Sequence, residues 1–123
     1  MTVLTAPDTH THDLGGTRFT SLATPSRGSA ETSVWRVEID AGVPATPHSL
    51  TREEVFVVLD GTAAVVLDGS EAVAVRGDAI VVPPGVDFQI SNDGETVLRL
   101  LCCLPVGGEA VTPDGRFTPP WAE

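Results

Sequence analysis

Lysine is absent from the 123-residue chain, and its seven arginines stand against 17 acidic residues, for a formal charge of −10. No basic run occurs anywhere. Affinity for phosphate backbones and anionic lipid rests on clustered positive charge, so nucleic acid and membrane surfaces are poor partners. The excess negative charge serves solubility instead. Long apolar stretches are missing too, and none nears the roughly 18 residues of a membrane span. The segment from Met1 to His12 lacks the basic and apolar regions of a signal peptide, so a cytoplasmic location is expected. Cysteine is scarce. Cys102 and Cys103 are adjacent, and neighbouring strand residues point to opposite faces, so two reduced thiols are expected rather than a strained bridge.

What the chain does have is a strand-and-turn rhythm. Apolar residues make up 41% of it, enough for a packed core, and 12 glycines with 10 prolines suit a chain full of turns. Short apolar runs recur at Val34–Ile39, Val55–Leu59, Ala63–Leu67, Ala72–Val75, Ala79–Val82, Phe88–Ile90 and Val97–Leu104. Asp-Gly pairs at Asp60–Gly61, Asp68–Gly69 and Asp93–Gly94 lie between them and suit tight hairpin turns. No long window carries a helical repeat. The pattern predicts an all-β barrel or sandwich in a single domain. Residues 31–106 form its core. Residues 1–30 are an extension that could add an edge strand, and residues 107–123 an irregular Pro-rich tail. Trp121 near the end of that tail is expected to dock on the barrel.

Side-chain parity points to an interior site. Residues 48, 50, 54, 56 and 58 alternate so as to share one face of their strands. Phe88 and Ile90 would close the same cavity from a second strand. Pro83-Pro84-Gly85 presets the turn that leads into it.

Two segments resemble the motifs of the cupin family. Gly42 is followed after five residues by His48-Ser49-Leu50, then by Glu54 and, six residues later, Gly61. Gly77 is followed after five residues by Pro83-Pro84-Gly85, then Phe88 and Asn92. Both spacings match. The resemblance implies a cupin barrel, also called a double-stranded β-helix or jelly roll, with little helix. It also implies a divalent metal held by two histidines and a glutamate from the first motif and one histidine from the second. This chain keeps His48 and Glu54 but has Leu50 and Phe88 at the other two positions. Two ligands leave a weak, water-rich site, so either no cofactor or a loosely held divalent metal is expected. His10, His12 or Cys102 could complete the shell if they reached the interior.

His48 and Glu54 are then the catalytic candidates. A carboxyl desolvated beside Leu50 and Phe88 has its pKa raised towards general-base territory, and a neighbouring imidazole would titrate with it as a unit. Leu50, Phe56, Phe88, Ile90 and Cys102 are the candidate substrate-binding wall. Glu53, of opposite parity, faces solvent, and Arg36, Arg76 and Arg99 are surface charges. Three functions stay open: acid-base chemistry such as isomerisation, cyclisation or dehydration of a small carbonyl compound; non-catalytic binding or sensing of a small molecule; and an oxygenase-like metal site with an unusual shell. A homodimer is expected from the family resemblance, since pairing would cover exposed strand edges.

Overall fold

The computed structural model describes residues 2–123. Among the described residues, twelve antiparallel strands and two short 3-10 turns make up the regular structure, without an α-helix. The central ladder joins β3 (Thr32–Ile39), β10 (Leu98–Pro105) and β5 (Glu54–Asp60). Along it Leu98 faces Ile39, and Cys102 lies between Trp35 and Phe56. Alternation sends every second side chain inward: Trp35, Val37 and Ile39 from β3, Leu98, Leu100, Cys102 and Leu104 from β10, and Glu54, Phe56 and Val58 from β5. β8 (Ala79–Val82) extends the sheet beyond β5.

A second sheet of β7 (Ser70–Val75), β6 (Thr62–Leu67) and β9 (Phe88–Asn92) adds Ala63, Val65 and Phe88 to the same core. One apolar core therefore lies between the sheets. The predicted all-β class holds, and the jelly-roll barrel is the architecture.

The ends carry more regular structure than alternation reveals. β1 (His12–Leu14) and β2 (Thr17–Ala23) form a hairpin, and β2 pairs along β3, so the N-terminal extension supplies two strands of the large sheet. The tail is not irregular throughout. β11 (Ala110–Thr112) and β12 (Gly115–Phe117) form a hairpin that pairs with β4 (Ser49–Leu50) through Ala110–Leu50 and Val111–Ser49. Three-residue strands show too few alternations to be read locally; long-range pairing creates them. The expected docking of Trp121 is seen, its ring stacked on Phe19 at 3.6 Å between centroids and 9° between planes. Three serine hydroxyls hold the last turn, Ser21, Ser33 and Ser26 donating to the main-chain oxygens of Trp121, Ala122 and Glu123 at 2.7, 2.6 and 2.6 Å.

Of the three Asp-Gly pairs, only Asp68–Gly69 closes a hairpin, with φ of +47° and +80°. Asp60–Gly61 and Asp93–Gly94 instead carry the chain from one sheet to the other. At the second crossing Asn92 Nδ2 donates to the carbonyls of Ile39 and Thr96 at 2.9 and 2.7 Å, which ties the two sheets together. Gly61 has φ +87°, and a Cβ there would lie 3.0 Å from the Val97 carbonyl oxygen and 3.1 Å from Leu98 Cα. Gly69 has a similar φ but open space around it. Gly61→Ala is therefore expected to cost about 2–3 kcal/mol in chemical denaturation, against about 1 kcal/mol for Gly69→Ala. Equal losses would show that the crossing is not tightly packed.

Candidate functional site

The two motifs meet by direct backbone bonding. His48 and Phe88 exchange amide hydrogen bonds, His48 N to Phe88 O at 3.1 Å and Phe88 N to His48 O at 2.9 Å. The Pro83-Pro84-Gly85 turn joins the same place, since Gly85, at φ +76°, donates its N–H to the Leu50 carbonyl at 2.8 Å. His48 and Phe88 thus sit opposite each other, rings 4.4 Å apart and tilted by 49°. Phe56 packs beyond them, 5.9 Å from Phe88.

These residues open onto a cavity of about 360 Å³. His48, Leu50, Glu54, Phe56, Phe88 and Ile90 all line it, as parity predicts. Cys102 has the predicted inward direction but is enclosed in the packed core and does not reach the cavity wall. Its neighbours Trp35 and Phe56 are larger and stand on the wall instead. Burial pushes the Cys102 thiol well above its ordinary pKa, so it rests as an inert neutral group. Sequence reasoning missed Phe19, Trp35 and Phe117 as wall residues. Trp35, Val37 and Ile39 have the alternation that could have revealed one of them; the placement of Phe19 and Phe117 depends on the hairpins at the ends.

Glu54 is the unusual member. Its residue is 4% exposed, and no hydrogen bond or ion pair from the described residues reaches its carboxyl. Burial raises its pKa from 4.5 to about 8. At neutral pH it rests mainly as a neutral acid, able to donate, where the sequence suggests a base. No hydrogen bond or ion pair joins it to His48, and burial is the cause of its raised pKa. His48 uses its Nδ1–H to donate to the Thr46 carbonyl at 2.9 Å. In the neutral ring that leaves Nε2 as the acceptor. Glu53 is exposed, as expected, and Arg36, Arg76 and Arg99 stay off the cavity wall, with Arg99 Nε bound to Glu38 at 3.1 Å.

The family profile described as the cupin domain matches residues 35–104, more than half of the chain. The chain belongs to the cupin family. Solved structures agree on the fold. An RmlC-like cupin from Shewanella frigidimarina superposes with a TM-score of 0.67 at 24% identity, over 83% of each chain. The Cnp3 cupin domain of Schizosaccharomyces pombe gives 0.62 at 23% identity, over 73% of this chain and 64% of that one. Salicylate 1,2-dioxygenase from Pseudoaminobacter salicylatoxidans, in adducts with gentisate, gives 0.64 at 24% identity, over 73% of this chain but only 25% of its own. No curated protein matches the sequence.

The donor set of this cupin does not fit the metal that the family implies. Leu50 and Phe88, at two of the four ligand positions, are buried hydrocarbon. Among the described residues no three His, Cys, Asp or Glu side chains converge. The histidines that could have completed the shell are engaged elsewhere. His10 Nε2 lies 3.5 Å from Asp13, and His12 bonds Thr11 and meets the Trp121 edge at 6.3 Å between centroids. Neither lines the cavity.

Burial of Glu54 has a stability consequence whose sign is fixed. The folded pKa near 8 exceeds the unfolded 4.5, so the folded state holds a proton that the unfolded state releases between these values. Stability contributed by the neutral acid is complete below pH 4.5 and is lost as pH rises through 8. Relative to Glu54→Gln, the wild-type unfolding free energy is expected to fall by about 3–4 kcal/mol between pH 5 and pH 8, at about 1.4 kcal/mol per pKa unit. Denaturant titrations of both proteins across that range check it, and a pH-independent difference would place the carboxyl in water.

Proposed function

We propose that this cupin binds a small, partly apolar carbonyl compound inside the barrel and moves a proton on it, in an isomerisation, cyclisation or dehydration, without a tightly held metal. The observation that carries this reading is Glu54, an enclosed carboxyl with no partner among the described residues, on the wall of an apolar cavity. A group so placed costs stability unless something in the cavity uses it. Its raised pKa lets it give a proton and recover it near neutral pH. His48 Nε2 is the complementary acceptor. In an enolisation, Glu54 gives its proton to the carbonyl oxygen while His48 takes one from the α-carbon. When His48 returns its proton to a different carbon of a conjugated enol and the enol hydroxyl gives its proton back to Glu54, the isomerisation is complete and both residues are restored. Because the two residues do not bond each other, the substrate itself is the bridge between them.

The reading includes a homodimer. On the outer face of the large sheet, Val81, Val55, Cys103 and Val34 line up across β8, β5, β10 and β3. Val81 is 49% exposed. An antiparallel sheet facing water ordinarily carries polar residues there.

Deuterium wash-in tests the chemistry. Incubated in D2O with a panel of small ketones, the wild type is expected to exchange the α-protons of at least one, and Glu54→Gln to slow this by about 10²–10⁴-fold with binding retained. Exchange that survives Glu54→Gln removes the proton-transfer role. Chelator dialysis is expected to leave the rate unchanged; loss of exchange restored by one metal would overturn the metal-free reading. For the assembly, sedimentation should show a dimer at tens of micromolar that Val81→Glu converts to monomer, and a monomeric wild type would reject it.

A further inference from the structure

The chain contains four phenylalanines, two tryptophans and no tyrosine. All six rings, Phe19, Trp35, Phe56, Phe88, Phe117 and Trp121, stand on the wall of the one cavity. They arrive from β2, β3, β5, β9, β12 and the last turn, six separate segments of the chain. The rest of the core is filled by Val, Leu, Ile, Ala and Cys102. Charge is distributed just as unevenly. None of the seven arginines lines the cavity, and Arg18, Arg99 and Arg116 are paired with Asp40, Glu38 and Glu109. Among the described residues the only ionisable side chains on the wall are His48 and Glu54.

We infer that the cavity takes an uncharged planar ring compound, aromatic or conjugated, with one carbonyl or similar acceptor towards Glu54, and that it rejects the matching carboxylate. Aromatic walls favour a flat guest, because ring faces and edges attract one another in tilted and offset arrangements. The tilts of Phe88 against His48 and Phe56, at 49° and 56°, are of this kind. A carboxylate placed among these rings would be desolvated with no arginine or lysine on the wall to pair it. A neutral carbonyl needs only one donor, and the Glu54 acid is one. The cavity, at about 360 Å³, lies near the lower end of the usual range for small-molecule sites and suits a single substituted ring.

This inference rests on the site proposed above but concerns what binds, not what is done to it. The test therefore reads binding alone. Calorimetry at pH 6.5 would compare acetophenone, benzoate and cyclohexyl methyl ketone on the wild-type protein. Acetophenone is expected to bind more tightly than benzoate by about tenfold or more, and more tightly than the saturated ketone. A smaller preference over benzoate, a saturated ketone that binds equally well, or no measurable binding of acetophenone overturns the inference. Ile90→Arg, which places a cation on the wall, is expected to narrow the gap between acetophenone and benzoate; an unchanged gap would show that missing positive charge is not what excludes the anion. Acetophenone that binds but exchanges no α-deuterium supports the ligand class and counts against the proton-transfer reading, so the two can fail separately.

Discussion

β10 pairs with β3 on one side and β5 on the other, and that double register decides which way every side chain of the three strands points. A slip by one residue would turn Leu98, Leu100, Cys102 and Leu104 to solvent and bring Arg99 inward. It would also exchange buried Glu54 and Phe56 for Val55 and Val57. The cavity, its acid and its aromatic wall all depend on this one ladder. A shift in register between Arg99 and Leu100 does not disturb it, because inward parity is regained at Leu100 opposite Val58.

The interior is asymmetric in a way that a purely structural core would not be. Around Cys102 it is closed, and burial keeps the thiol neutral. A few residues away the same inner face carries Glu54, a buried carboxyl on the cavity wall. The carboxyl weakens the fold as pH rises, since its proton must be lost from a poorly solvating environment. Polar groups of this kind, unpaired in the protein and open to a cavity, are where binding chemistry and stability are in conflict.

The ends of the chain complete that interior. Three serine hydroxyls hold the backbone of the last turn that brings Trp121 to the wall, and the tail hairpin that carries Phe117 pairs with β4. Phe19 in β2 supplies the surface on which Trp121 stacks. What reads as two peripheral extensions supplies part of the cavity wall, Leu14 and Phe19 from one end and Phe117 and Trp121 from the other.

The strands between Val34 and Leu104 were legible because alternation is a local property: each run carries its own inward and outward face wherever it ends up. The spacing of the two glycine-anchored segments likewise identified the barrel and brought His48, Leu50, Glu54, Phe56, Phe88 and Ile90 to one cavity. Two of the three Asp-Gly pairs, though suited to hairpins, cross between sheets, because the local conformation of such a pair does not say which sheet receives the next strand. Cys102 pointed the right way, yet depth within a layer depends on the size of its cross-strand neighbours. By itself, then, the sequence determined the all-β barrel, its inward parity and the loss of two of four metal-ligand positions. Only the tertiary structure decided that the ends close the cavity, that all six aromatic rings meet there, and that Glu54 rests as an unpaired neutral acid. Each of these follows from contacts between distant segments and from the exclusion of water, and no local pattern encodes either.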